Sequence, residues 1–301
     1  MVKPNCRFCN AKPSLQSIKG EFVYGGSPEQ HFWKCDACQM IYLFPPLTEE
    51  EELSFYKKEF EKYMEKRSGR DKDWSNAERH FISNQKEVER RMPFLEPYVR
   101  RGQRILEIGC SSGFMLSALT DKGVDVYGLD PSEGFIEYVK SKGIHVYQTV
   151  EELEENHDLG FDLIIHYFVL EHIGKPVEFI RQYMGLLNET GKMIFEVPCA
   201  TDPLVELYKV PAFDKFYWSV AHHWYFNKES LSEVLKRTGY NFQLFPEQRY
   251  DISNHMTWMQ EGKPGGFGRY SYIFGNELDT LYKEKMKENW LCDTVIAVVN
   301  K

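Results

Sequence analysis

Between residues 104 and 200 short β-branched and aromatic runs alternate with stretches of helical period. "RILEIG" leads into "FMLSALTDKG", "VDVYGLD" into "SEGFIEYVKSKG", and "IHVYQ" closes the first half. "FDLIIHYF" and "GKMIFEVP" follow, with the helical "KPVEFIRQYMGLL" between them. Each strand-to-strand return through a helix forces neighbouring strands to run the same way, so the pattern predicts a parallel, doubly wound α/β sheet. Downstream, "KESLSEVLKRTG" reads as a helix, and "YNFQLFPEQ" and "LCDTVIAVVNK" read as strands.

The turn after the first strand of this series carries the chemistry. In "ILEIGCSSGF" Gly109 ends the strand, and Gly113 lets the backbone pass close to a ligand where the next helix opens. The spacing differs from the Gly-x-Gly-x-x-Gly of a nicotinamide dinucleotide fold. Asp130 ends the following strand, at the sheet edge where an acid accepts from ribose hydroxyls. Glu107 lies inside an apolar strand, where a carboxylate has no packing value and can face the cationic end of a ligand.

Four of the seven cysteines form two Cys-x-x-Cys pairs, Cys6/Cys9 and Cys35/Cys38. Two matched knuckles suit a tetrahedral, structural zinc; redox dithiols are the competing reading. Residues 1–46, with the runs "EFVY", "HFWKC" and "MIYLF" and a closing Pro45-Pro46, then form a zinc-ribbon-like module too small to rely on its own core. Cys110, Cys199 and Cys292 stand singly among apolar neighbours and read as packed residues. Residues 47–103 read as a helical connector: Thr48 can cap a helix, Phe55, Tyr56, Phe60 and Tyr63 recur at helical spacing, and a second helical stretch covers 76–99. Tyr56 and Tyr63 could shield a site from water, or simply pack. A net charge of −8 argues against a nucleic-acid or membrane partner. "MVKPNCRFCN" lacks the apolar core of a signal peptide, so a cytoplasmic location is expected.

"ILEIGCSSGFMLSAL", "VYGLDPS", "FDLIIHYFVLEHI" and "LLNETGKMIFEVP" resemble the successive motifs of class I S-adenosylmethionine-dependent methyltransferases. The resemblance implies a Rossmann-like seven-stranded sheet over 104–301. It implies that Glu107, Gly109 and Gly113 line the methionine and ribose, with Cys110, Ser111 and Pro131 in the flanking loops, that Asp130 binds the ribose hydroxyls, and that the backbone at His166 and Tyr167 borders the sulfonium. The usual loop has glycine where Ser111 or Ser112 stands, which implies crowding rather than lost binding. Glu171 and His172, in "FVLEHI", are open to an acid–base or a structural reading.

With "CRFC…CDACQMIYLFPP" and "AHHWYFNKESLSEVLKRTGY", the chain is similar to the zinc-binding methyltransferases related to sugar C-methyltransferases of deoxysugar and surface-polysaccharide biosynthesis. In the C-methylating members a Glu-His pair precedes the "YF" segment. The histidine falls on His222, but the glutamate position is Ala221. The resemblance therefore implies O- rather than C-methylation of a small molecule such as a nucleotide-linked sugar, with His222, His223 and Tyr225 as the catalytic group. Asn254, His255 and Trp258 could form a substrate wall, and Lys263 and Arg269 could meet a diphosphate or stay solvated. The alternatives are an RNA methyltransferase carrying a zinc module and a non-catalytic scaffold that binds the cofactor.

Overall fold

The structure is a computed structural model that describes residues 3–58, 60–68, 76–156 and 160–301. The N-terminal strands are β1 (Gln16–Gly20), β2 (His31–Cys35) and β3 (Ile41–Phe44), followed by the helices α1 (Glu49–Lys58), α2 (Phe60–Ser68), α3 (Ala77–Ser83) and α4 (Gln85–Leu95). Thr48 and Glu51 start α1 with reciprocal bonds, the Glu51 N–H to Thr48 Oγ1 (3.2 Å) and the Thr48 N–H to Glu51 Oε2 (2.8 Å). The alternating region gives β4 (Arg104–Ile108), α5 (Phe114–Thr120), β5 (Asp125–Leu129), α6 (Glu133–Ser141), β6 (His145–Tyr147), α7 (Val150–Asn156), β7 (Phe161–Tyr167), α8 (Pro176–Gly185) and β8 (Leu187–Pro198). Then come α9 (Pro203–Glu206), α10 (Pro211–Tyr217), β9 (Trp224–Tyr225), α11 (Lys228–Thr238), β10 (Asn241–Glu247), α12 (Ile252–Glu261), α13 (Ser271–Glu288) and β11 (Thr294–Asn300).

Seven strands form one sheet in the order β10-β11-β8-β7-β4-β5-β6, the Rossmann-like arrangement the motifs imply. Strands β4 to β8 pair in parallel, and β11 runs antiparallel between β8 and β10. Both faces are covered, which is why the strands read as nearly continuous apolar runs. Leu106, Ile164 and Phe195 pack toward α8 and α11 with Ile180 and Leu231. Ile105, Ile165 and Ile194 pack toward α4, α5 and α6 with Leu95, Leu116 and Val139.

The N-terminal module does not close on itself. Its sheet runs β1-β2-β3-β9, so the last strand comes from residues 224–225. Ile41 pairs with Tyr225 and Tyr42 with Trp224, and the Leu43 N–H donates to the His223 carbonyl at 3.0 Å. "EFVY", expected as a strand, is not one: Tyr24 makes only an isolated bridge to Ser219. The polar "QSIKG" takes the edge instead, because the second knuckle holds Cys35 opposite Gln16, whose Nε2–H lies 3.5 Å from Cys35 Sγ. Tertiary pairing overrides the β-propensity of the aromatic run here. Helices α12 and α13 occupy a stretch the sequence pattern did not resolve into elements. The non-helical backbone at Gly275 (φ 66°) breaks α13 and blurs its period. Among the described residues no helix is long and apolar enough to cross a membrane.

Candidate functional site

The turns after β4, β5 and β7 meet at the carboxyl edge of the sheet, where open α/β sheets take ligands. Gly109 has φ 70°, and a Cβ there would lie 2.7 Å from Val169 Cγ2, so neither the backbone nor the space admits a side chain. The Gly109 and Cys110 N–H groups both donate to the Leu129 carbonyl (2.7 and 3.1 Å), clamping the turn to β5. Ser111 is left-handed at φ 45°. Serine thus bears a cost in backbone conformation here, ~1–2 kcal/mol. Asp130 holds the turn: Oδ2 accepts from the Ser111 N–H at 2.7 Å and Oδ1 from the Ser132 N–H at 2.9 Å. Burial lifts its pKa to about 6 against those two bonds. Pro131 follows at the surface of the turn, its carbonyl accepting from Gln148. Cys110 is buried with its Sγ against Gly128.

Glu107 is buried on β4, and its Oε2 has no hydrogen-bond partner. Burial raises its pKa to about 8, with the Arg91 charge pulling the other way. Such an orphaned carboxyl beside a glycine turn fits the cationic head of an amino-acid cofactor. Sequence reasoning missed Arg91, which lies on α4 with its guanidinium 4.0 Å from the Tyr167 ring centre and Nε 3.2 Å from Glu196 Oε2. Its run "QKEVERRMPFL" looks like a solvated charged helix, although Arg91 shares a face with Val88 and Leu95. Burial would push Glu196 up, but Arg90 and Arg91 outweigh it and hold its pKa at about 2. Tyr167 keeps its hydroxyl unpartnered in this corner. His166 turns to the other face of the sheet and stacks on Phe195 (4.6 Å), so only its backbone reaches the edge.

A second cluster sits beyond β7. Glu171, His172 and His222 place their ligating atoms within 4.8 Å of one another. Both Glu171 oxygens and His222 Nδ1 are buried without a hydrogen-bond partner. His172 Nδ1–H donates to the Ala221 carbonyl at 2.8 Å, and its Nε2 lies 4.0 Å from Glu171 Oε1. The rings of His172 and His222 meet edge to face at 4.8 Å. Burial raises Glu171 to about 8, lowers His172 to about 4 and pushes His222 well below the ordinary imidazole range. Ala221 removes the carboxylate that the resemblance implies, and Glu171 brings one to the same histidine from another element. Two imidazoles and a carboxylate are also the donor set of a divalent-cation site.

His223 faces away from this trio, with Nε2 3.3 Å from Glu52 on α1 and Nδ1 3.3 Å from Arg7. The Tyr225 hydroxyl donates to the Tyr217 carbonyl and accepts from the Ser219 N–H (3.0 Å), a saturated packing group behind His222. Tyr63 anchors α2 through Ser219 Oγ (2.6 Å), while the side chains of Tyr56 and Phe60 lie outside the described residues. Trp258 packs between Phe213 and Phe216, His255 hydrogen-bonds Tyr282, and Asn254 Nδ2–H donates to the Gly265 carbonyl at 2.7 Å. Lys263 and Arg269 both pair with Glu261.

The four knuckle cysteines come together, Cys6 Sγ with Cys38 Sγ and Cys9 Sγ with Cys35 Sγ, each at 3.7 Å. All four sulfurs lie within 4.8 Å of one another, and the two 3.7 Å separations match the spacing of about 3.8 Å in a tetrahedron with metal–sulfur bonds of about 2.3 Å, as a structural zinc needs. N–H groups of Cys9 and Gln16 approach Cys6 Sγ and Cys35 Sγ at 3.5 Å, as outer partners of thiolates do.

Residues 79–243 match the family model described as a methyltransferase domain. A ubiquinone biosynthesis O-methyltransferase of Azorhizobium caulinodans is 34% identical over 100 residues, covering 31% of this chain and 40% of that protein. The enzyme of the same name from Maricaulis maris is 30% identical over 107 residues, covering 33% and 41%. The chain thus spans about two fifths of the length of these relatives. The crystal structure of a SAM-dependent methyltransferase from Archaeoglobus fulgidus superposes with a TM-score of 0.51 at 18% identity, over 72% of this chain and 94% of the other.

Proposed function

The chain belongs to the methyltransferase-domain family of S-adenosylmethionine-dependent enzymes, and we propose that it methylates a hydroxyl of a nucleotide-linked sugar or related glycan precursor. The observation that carries the reading is the cluster of buried Glu171 and His222 with half-buried His172, which begins two residues after Val169, whose side chain packs on Gly109. When bound, S-adenosylmethionine supplies an activated methyl group on a sulfonium. Gly109, Gly113 and the carboxyls of Glu107 and Asp130 then serve to hold the methionine and ribose parts, and Arg91 lies close enough to Glu107 to meet the cofactor's carboxylate. His222 receives the hydroxyl proton at Nδ1. Burial keeps that ring neutral and ready to accept. As the acceptor O–H bond breaks, the proton and its positive charge arrive on the imidazole of His222. Burial holds the Glu171 carboxyl at about 8, so it stabilises that charge in the molecules in which it is ionised, a share that grows as pH rises toward 8, since a desolvated carboxylate within reach raises the proton affinity of the ring.

The name of the Azorhizobium relative supports oxygen as the methylated atom, while the N-terminal cysteine module and the "AHHWYF" segment support the sugar-related group. A ubiquinone-biosynthesis acceptor is the second reading, favoured by the name of the relative that is 34% identical over 100 residues. The test is methyl transfer to a panel of nucleotide sugars and glycan precursors, read by mass spectrometry, with wild type and His222→Ala. The expected outcome is a fall in turnover of about tenfold or more with S-adenosylhomocysteine affinity kept. Unchanged turnover removes His222 as the base. Activity abolished by a chelator and restored by added Mn²⁺ reassigns the cluster to a cation.

A further inference from the structure

We propose that the groove between the first cysteine knuckle and the start of α8 binds the diphosphate and planar ring of a nucleoside diphosphate, the handle by which the acceptor is held. The inference rests on the nucleotide-linked acceptor proposed above. The cavity measures about 460 Å³ and is walled by Arg7 and Phe8 of the knuckle, Lys175 and Arg181 at α8, Trp224, and Arg237 of α11. Among the described residues Glu178 is the one acid in its lining. Four cations against one acid form a local inversion in a chain of net charge −8.

Most of these cations are positioned without being neutralised. Arg7 donates to the Leu43 carbonyl at 2.9 Å and approaches the His223 ring. Arg181 donates to the Thr238 and Arg237 carbonyls, and Arg237 to the Phe8 carbonyl and to Glu233 at 3.1 Å. The Lys175 carbonyl accepts from the Phe179 N–H at 3.1 Å, while its ammonium makes no hydrogen bond or ion pair among the described residues. Elsewhere the balance differs: Lys263 and Arg269 share Glu261, and Arg90, Arg91 and Arg249 face Glu87, Glu196 and Asp293. Guanidiniums held by carbonyls keep their charge for a phosphate. Helix α8 begins without a side-chain cap, which adds the positive end of its dipole to the same opening.

The aromatic wall supplies the second half of the ligand. Arg7 stacks over Trp224 at 4.8 Å and Arg237 over Phe8 at 4.1 Å, while Phe8 and Trp224 meet edge to face at 6.3 Å. Trp224 is buried beneath Arg7, so a planar base lies against half-buried Phe8 and the guanidinium planes of Arg7 and Arg237 as its phosphates meet Lys175 and Arg181. Groove and reaction cluster are joined by short stretches of chain: the segment 171–174 runs from Glu171 to Gly174 in the cavity wall, and Trp224 lies two residues from His222. A metal held by the knuckles would acquire a task in this arrangement, since Cys6 and Cys9 flank Arg7 and Phe8 in the chain and would fix where both point.

Calorimetric titration of the full-length, zinc-loaded protein with UDP, inorganic pyrophosphate and a short single-stranded RNA tests the site, using wild type, Lys175→Glu and Arg181→Glu. Both substitutions are at exposed positions. The expected result is UDP binding tighter than pyrophosphate, weakened at least tenfold in each variant, with S-adenosylhomocysteine affinity unchanged. UDP affinity equal in wild type and variants overturns the groove while leaving the nucleotide-linked acceptor standing. Absence of UDP binding by protein that binds S-adenosylhomocysteine overturns both. RNA binding tighter than UDP and lost in the variants overturns the small-molecule occupant.

Discussion

Glu107 shows how much a single buried carboxyl can say about a site. Its pKa of about 8 means that the free protein holds it protonated at neutral pH. An ammonium group on the cofactor needs the carboxylate, so binding must release a proton. The sign follows: affinity for S-adenosylhomocysteine rises with pH toward about 8 and then levels, because below that value each unit adds the cost of one deprotonation, about tenfold. Calorimetry between about pH 6.5 and 8.5 should show this slope, and Glu107→Gln should flatten it. A flat wild-type profile would mean that Glu107 does not face the ammonium. The residue was legible in sequence because an acid inside "ILEIG" has no packing reason to be there. Arg91, opposite it, was not, because one arginine among the charges of α4 becomes distinctive only when its face of the helix is seen to be buried.

At the scale of elements, β9 matters most for its length. A strand of two residues leaves no period to read, yet it completes the N-terminal sheet and presents His222 and His223 on either side of the chain's path into the core. Tyr225 lies in this strand, and the "WYF" run made it look catalytic. Its hydroxyl instead closes the turn from Tyr217 to Ser219. Tyr225→Phe leaves the buried Ser219 N–H without its acceptor and should cost about 1–3 kcal/mol of stability, with turnover per folded molecule kept. A lower melting temperature at unchanged kcat is the expected pair of readings. A tenfold loss of kcat in the folded variant would return Tyr225 to the chemistry. Strands β4, β5, β7 and β8 were read directly, because each buries both faces and ends at a turn residue. Helices α12 and α13 were not, since mixed polarity blurs the period of α12 and Gly275 breaks that of α13.

For the whole molecule, the β3–β9 pairing makes the N-terminal module and the sheet domain one cooperative unit. Zinc is expected at one equivalent per chain, and stripping it should lower the melting temperature in a single transition and reduce turnover, because the module supports His222 and His223 from behind. Two resolved transitions, with the later one unmoved by the chelator, would refute that unity. The sequence by itself determined the doubly wound core, the glycine turn with Asp130 and Glu107, and the paired cysteine knuckles. Each depends on short-range signals: hydrophobic period, a residue type that a turn requires, ligand spacing along one stretch of chain. Only the tertiary structure decided that Glu171 joins His222 where Ala221 has no carboxylate, that Arg91 stands by Glu107, and that Arg7 and Phe8 share a groove with α8 and α11. Those encounters link residues dozens to hundreds of positions apart, and their cost or benefit comes from burial and neighbours, which local sequence does not record.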